Sequence, residues 1–202
     1  MNEYDLNESH LDSFEKAGFA VLDEFMSESD ALALRDFIFN QAVSGLLRKA
    51  GIGRQHDFAI EESRRGDFIQ WIDSGKAPEA AFRFLEKIDA LRVALNRSFF
   101  LGLQDFETHY TWYPPETRYE KHVDRHRSGS SRRVSFVFYL NPGWVPDHGG
   151  ELQLYEQSGK LTRIEPLFSR LAVFLSEMEH EVLLTRHDRL SITGWMRDTS
   201  LI

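Results

Sequence analysis

The chain divides by the period of its apolar positions. In the first half they recur at helical spacing; after Gly102 they fall in short alternating runs, the period of a strand. Residues 9–17 predict a short helix, with Ser9 as cap and Gly18 as stop, and 19–25 (FAVLDEF) a strand. Ser27 to Asp30 offer capping groups for a second helix to about residue 47, with apolar Leu32, Leu34, Phe37, Ile38 and Val43. Residues 54–65 are polar and predict a mobile loop, with a short strand after it at 68–72. Pro78 suits the start of a third helix. There Phe82, Leu85, Ile88, Leu91, Leu95 and Phe99 recur at helical spacing, so this helix should lie on a sheet.

Strands are then predicted at 106–113, 118–124, 134–140, 151–155, 161–164, 171–175, 180–185 and 189–196. Turn signals separate them, among them Pro114-Pro115, Asn141-Pro142-Gly143, Gly149-Gly150 and Ser158-Gly159. Many short strands in series point to a sandwich or jelly roll. The expected class is mainly β with N-terminal α. One domain is expected over 1–202, with a buttress of about three helices and a mobile loop in 1–104 and a β core in 105–202.

Composition narrows the function. With 42% hydrophobic and 28% charged residues in 202, the chain can bury a sizeable core. The net charge of -8 argues against a nucleic-acid partner, which needs a basic face. Absence of Cys excludes disulfides, thiolate catalysis and thiolate-held clusters. Residues 1–6 are polar and acidic, and no apolar run approaches the ~20 residues of a membrane span. A cytoplasmic protein with no membrane partner is expected. Arg65-Gly66-Asp67 means adhesion only outside the cell, and that reading gets little weight.

Among the 8 His, His122 stands out because Asp124 follows at i+2, on the same face of an extended strand. His180, from a later strand, can complete two imidazoles and one carboxylate on one side of a metal. That facial set leaves positions open and is characteristic of non-haem Fe(II) oxygenases. His126 shares the His122/Asp124 face, but Ser128 to Ser131 read as a turn, so it is a weak competitor. Arg189 heads a strand in which Arg189, Ser191, Thr193 and Trp195 share a face. A dianionic oxo-acid chelating the iron needs a fixed countercharge for its far carboxylate. Arg supplies paired planar donors for it, and Tyr139 or Ser191 a further hydroxyl. Taken singly, Arg189 is more often a strand-end surface residue, and Trp195 is as readily core as pocket wall.

The residues Tyr113-Pro114, Tyr119, His122-Val123-Asp124, Tyr139-Leu140-Asn141, Gly149-Gly150-Glu151-Leu152, His180-Glu181-Val182, Arg189-Leu190-Ser191, Thr193 and Trp195 form a far more specific set. Together the set closely resembles the Fe(II)/2-oxoglutarate-dependent oxygenases of the prolyl hydroxylase-domain group, prolyl 4-hydroxylases that include the animal oxygen-sensing enzymes. A bacterial member is expected. Arg65-Gly66-Asp67 through Trp71 matches the family's mobile loop and the strand after it.

The resemblance implies a double-stranded β-helix, a jelly-roll, cupin-like fold. It makes His122, Asp124 and His180 the iron ligands, with 2-oxoglutarate and O2 as cosubstrates and ascorbate as a further small molecule. Arg189 and Tyr139 would hold the distal carboxylate, with Tyr113, Ser191 and Thr193 bordering the cosubstrate. Ile69, Trp71, Tyr119, Arg132 and Trp195 would line the pocket for a target prolyl. Arg65 and Asp67 belong to the mobile loop, with an Asp67–Arg132 salt bridge positioning it. Strict alternation sets Tyr119 against His122, and Arg132 against Tyr139, so bulges are expected. Animal members carry residues past the last strand that help hold substrate; this chain stops at Ile202, soon after its last strand, so the resemblance leaves the grip on the target open. The implied reaction is hydroxylation of a prolyl residue in a protein, with decarboxylation of 2-oxoglutarate to succinate. Animal relatives act on a transcription factor, and bacterial relatives are associated with a translation elongation factor. Two alternatives stay open: a hydroxylase of free amino acids or small metabolites on the same iron, and a non-catalytic jelly-roll binding module.

Overall fold

The computed structural model describes residues 6–51, 64–73, 75–125 and 130–198. Helix α1 (Glu8–Ala17) is capped by Asn7, whose side chain accepts from the His10 N–H, two residues before the expected Ser9. Gly18 ends it in the left-handed region, as expected. Strand β1 (Phe19–Leu22) is shorter than predicted, because Glu24 takes a positive φ of 54° and turns the chain. Helix α2 (Glu28–Val43) starts at Ser27 as predicted and stops short of residue 47, at Ser44. Strand β2 (Arg48–Lys49) is two exposed residues long and carries no readable period. Strand β3 (Phe68–Trp71) and helix α3 (Glu79–Phe99), with Pro78 in its cap position, follow as expected.

The remaining strands are β4 (Asp105–Tyr113), β5 (Thr117–His122), β6 (Arg132–Tyr139), β7 (Leu152–Tyr155), β8 (Leu161–Ile164), β9 (Leu171–Leu175), β10 (Glu179–Thr185) and β11 (Arg189–Arg197). They build two antiparallel sheets, β1-β9-β6-β11-β4-β3-β2 and β5-β10-β7-β8. Mainly β, with three α-helices among the described residues, this is the expected jelly-roll class.

Strand β6 shows why the sheets sit as they do. Val134, Phe136 and Phe138 join the helices in one core, and Val137 and Tyr139 join β7, β8 and β9 residues and Met178 in a second core between the sheets. Phe138 stacks on Phe84 of α3, with centroids 5.2 Å apart. Burying each such side chain contributes roughly 1.5–3 kcal/mol. The buried stripes of α2 and α3 use Ala31, Leu34, Ile38, Ala81, Phe84, Ile88, Leu91 and Leu95. Leu32, Val43 and Phe82, counted on those faces by periodicity, point outward, because the buried faces run through alanines that the apolar count passed over.

Before β3, residues 64–66 run along β5: Glu120 N–H donates to the Arg64 carbonyl and Gly66 N–H to that of Arg118. A Cβ on Gly66 would lie 2.6 Å from Thr117 Cβ, so glycine permits this approach. The chain thus passes from the edge of the small sheet to the edge of the large one, beside the open end between them. Most of the predicted mobile loop, including Glu61 and Glu62, lies outside the described residues, as does His126.

Candidate active site

His122 and Asp124 come together with His180 as one cluster whose donor atoms lie within 4.8 Å of one another. Asp124 Oδ1 is 3.8 Å from His122 Nε2, and Oδ2 is 3.5 Å from His180 Nε2. β5 ends at His122, so strand alternation alone does not place Asp124. Its backbone N–H, and that of Arg125, donate to the Ser176 carbonyl and turn it inward. His122 and His180 are cross-strand partners on β5 and β10. Each Nδ1 faces a main-chain carbonyl, Glu120 at 2.8 Å and Met178 at 2.9 Å. A carbonyl only accepts, so each Nδ1 carries the hydrogen and each Nε2 presents its lone pair.

Ser135 Oγ donates to Asp124 Oδ2 at 2.7 Å and lies 2.9 Å from Ser176 Oγ. Burial would raise the Asp124 carboxyl, but His180, His122 and the Ser135 hydroxyl outweigh it and bring it to about 2. Burial, with His180 beside it, brings His122 down to about 4. An ionised carboxylate beside a neutral imidazole needs no deprotonation to take a divalent ion. The set fits Fe(II), with open positions on the side away from the protein donors.

Arg189, on β11 of the large sheet, stands on the wall opposite the small sheet that carries both histidines, and is 1% exposed. Its Nε donates to the Gly150 carbonyl at 2.8 Å, and its guanidinium lies 5.0 Å from the ring centres of Tyr113 and Tyr139. Gly150 is required here: a Cβ would meet Arg189 Cδ at 3.0 Å on a backbone with φ 69°. Among the described residues no carboxylate pairs with this guanidinium. Arg189 Nη2, Tyr139 Oη and Ser191 Oγ are buried without a hydrogen-bond partner. Burial holds the Tyr139 and Tyr113 phenols above their ordinary values, so both stay donors. A buried cation ringed by unused donors is costly unless an anion completes it.

The register ranks the remaining candidates along this wall. Tyr113 faces Arg189; Ile69, Thr111, Ser191 and Tyr139 form the next rank; Trp71, His109, Thr193 and Val137 the next; Glu107, Trp195 and Ser135 the last. Tyr119 and Arg132 join against parity through the expected bulges: three β5 residues span two on β10, and β6 is shifted between Arg132 and Val134. Tyr119 consequently stacks on His122 at 3.7 Å, and Arg132 lies 3.5 Å over the Trp195 ring. One expectation fails. Asp67 pairs with Arg65 rather than Arg132, two residues away on the same side of an extended segment, at 2.7 and 3.0 Å. Arg132 reaches Glu107 at 2.7 Å. Arg65 also lies 4.6 Å over Tyr119, closing the wall on the β5 side. Sequence reasoning missed Ser135, Ser176, Thr111 and His109; stepping by two from Tyr113 finds Thr111 and His109.

The family model of the 2OG-Fe(II) oxygenase superfamily matches residues 108–197. Human prolyl hydroxylase EGLN3 is 30% identical over 200 residues, covering 91% of this chain and 80% of that protein. Among solved structures, a Pseudomonas putida prolyl-4-hydroxylase is 39% identical with a TM-score of 0.85, over 95% of this chain and 98% of that one. A prolyl hydroxylase from Trichoplax adhaerens, in complex with a peptide of the hypoxia inducible factor oxygen degradation domain, is 28% identical with a TM-score of 0.83, over 94% and 87%. A match of this extent, over a site whose donors suit iron and a dianion, means that the chain belongs to the 2OG-Fe(II) oxygenase superfamily, among its prolyl hydroxylases.

Proposed function

We propose that this chain hydroxylates a prolyl residue of a protein at C4, using Fe(II), 2-oxoglutarate and O2. The observation that carries the reading is Arg189: a buried cation with no acidic partner among the described residues, on the sheet facing the one that carries His122 and His180. In this reading the three donors hold the iron through both Nε2 atoms and the Asp124 carboxylate. Arg189, Tyr139 and Ser191 receive the distal carboxylate of 2-oxoglutarate, with Tyr113 and Thr193 bordering it. Bound there, the metal supplies the oxidising chemistry, with 2-oxoglutarate as the electron donor.

The protein's own part is placement and exclusion of water. Ile69, Trp71, Tyr119, Arg132 and Trp195 bound the space for the prolyl ring, and the Arg65–Asp67 pair anchors the end of the loop before β3. Apolar ring faces suit a prolyl side chain, which offers no hydrogen-bonding group. The full-length likeness to a prolyl-4-hydroxylase supports C4. A translation elongation factor as the target, a cytoplasmic setting and ascorbate as the reductant that keeps the iron ferrous complete the proposal. No helix among the described residues is long and apolar enough to cross a membrane.

The test is anaerobic titration of the apoprotein with Fe(II) and 2-oxoglutarate, wild type beside His180→Ala. The wild type alone should develop the visible charge-transfer band of the chelate. Mass spectrometry of elongation factor, proline-containing peptides and free proline then reads the substrate. A folded wild type with no band removes the oxygenase reading. Turnover of free proline alone removes the protein target.

A further inference from the structure

His109 is a buried imidazole on the inner wall that the reading above does not use. It is 1% exposed, at mid-strand in β4, with Trp71 and Thr193 as its cross-strand neighbours. Its ring stands edge-on to Trp71 at 5.2 Å and tilted to Trp195 at 5.4 Å. Nδ1 lies 3.2 Å from the Tyr110 carbonyl and 3.0 Å from Thr111 Oγ1. The carbonyl can only accept, so Nδ1 carries the hydrogen. The Thr111 hydroxyl then passes its own hydrogen on to Thr193 Oγ1, 3.3 Å away.

That leaves Nε2 as a bare lone pair, buried and without a partner among the described residues. Burial, then the Arg65 charge, lowers the pKa to about 4 against the opposing pull of Asp67, so the ring is neutral. A histidine serving only the fold has both nitrogens paired, or is replaced by an apolar side chain of its shape. Here one nitrogen is fixed by two partners, and the other is kept bare beside Trp71 and Trp195.

A lone pair can receive only a donor. 2-Oxoglutarate as a dianion brings acceptors, O2 brings no hydrogen, and a prolyl nitrogen within a peptide has none. The main-chain amides flanking the target proline do carry hydrogens, and half-exposed Trp71 offers an apolar rim for that backbone. We propose that His109 Nε2 accepts a hydrogen bond from a main-chain N–H beside the target proline, which makes His109 a substrate-binding and specificity residue. The inference rests on the prolyl hydroxylase reading.

The test pairs a protein change with a peptide change. A pool of synthetic peptides, each with one central proline, is offered to wild type, and the best substrate is remade with each flanking amide N-methylated. His109→Leu should raise KM for the parent peptide ~10-fold with kcat within ~2-fold, and His109→Gln, which keeps an acceptor, should recover part of that loss. One N-methyl analogue should show a similar loss on wild type and no further loss on His109→Leu. The iron–2-oxoglutarate band should be unchanged in both variants. An unchanged KM, or independent additive losses, overturns the inference: a water then satisfies Nε2. Loss of the band in both variants also overturns it, because His109 then serves the cosubstrate or the fold. A wild type that forms the band and oxidises free proline but no peptide removes the protein-hydroxylase reading itself, and the inference with it.

Discussion

At the metal end of the site, atoms that do not face the centre are taken up by the protein. Both histidine Nδ1 atoms donate to carbonyls, Asp124 Oδ2 accepts from Ser135, and the Asp124 backbone is tied to Ser176. At the Arg189 end the reverse holds: Nε is bound to Gly150, while Nη2, Tyr139 Oη and Ser191 Oγ have no partner. Both ends are buried and charged, so burial does not explain the difference. A resident ion needs ligands held in place before it arrives, whereas a cosubstrate consumed in each turnover must bring its own half of the contacts. On the proposed reading, the difference separates a site built to keep its occupant from one built to exchange it.

The largest expected effect breaks the metal end. Asp124→Ala removes the only anionic donor and should abolish the chelate band. Turnover should fall below about 1% of wild type, a loss of at least ~2.7 kcal/mol in transition-state stabilisation. A variant that keeps the band would show that the carboxylate is not a ligand.

Arg189→Met breaks the other end and should look different. Removing the countercharge of a buried carboxylate should weaken 2-oxoglutarate by ~2–5 kcal/mol, while Mn(II) still binds the apoprotein with wild-type affinity. Because the guanidinium has no acidic partner among the described residues, its replacement by an apolar chain should leave the melting temperature of the ligand-free protein within ~5 °C of wild type. A collapse in stability would mean that Arg189 is structural.

The two ends were not equally legible in the sequence. His122, Asp124 and Arg189 could be read because residue type and a spacing of two carry most of their chemistry. Even so, Asp124 reaches the cluster from beyond the strand end, held by a serine carbonyl fifty-odd residues away. Ser135 and Ser176 meet only because β6 pairs with β9, and nothing local in either stretch announces that contact. The Asp67 pairing was misread for a related reason. Asp67 is taken by Arg65, its near neighbour in sequence, and Arg132 by Glu107 on a strand that only the sheet pairing brings beside it. Bulges at Tyr119 and Arg132 were forced by parity, so even these irregular positions were foreseen.

A smaller effect should follow from the Ser135 hydroxyl. Ser135→Ala keeps all three donors and removes the hydrogen bond that orients Asp124. Metal affinity should fall ~10-fold, the lower end for a supporting hydrogen bond, with little change in the 2-oxoglutarate affinity of the metal-loaded protein. Mn(II) titration followed by electron paramagnetic resonance reads the first quantity, and cosubstrate-dependent turnover the second. Equal losses in both would blur the distinction between the two ends.

The effect that ordinary assay conditions hide lies between the ends, at His109, and vanishes at neutral pH. Its folded pKa of about 4 lies below the ordinary 6.5, through burial first and then Arg65 and Arg132, opposed by Asp67 and the Tyr110 carbonyl. Between these values the unfolded chain binds a proton that the folded chain refuses, so stability falls as the pH drops from 6.5 to 4. Above 6.5 both states are neutral and His109 contributes nothing to the slope. At pH 4 the loss reaches up to ~3 kcal/mol. Urea midpoints of the ligand-free protein at pH 7 and pH 4.5 should therefore draw closer together in His109→Leu than in wild type, with the pH 7 values similar. If the variant keeps the full wild-type slope, His109 takes up its proton as an ordinary imidazole does, and the bare Nε2 acceptor beside Trp71 and Trp195 is lost as an idea.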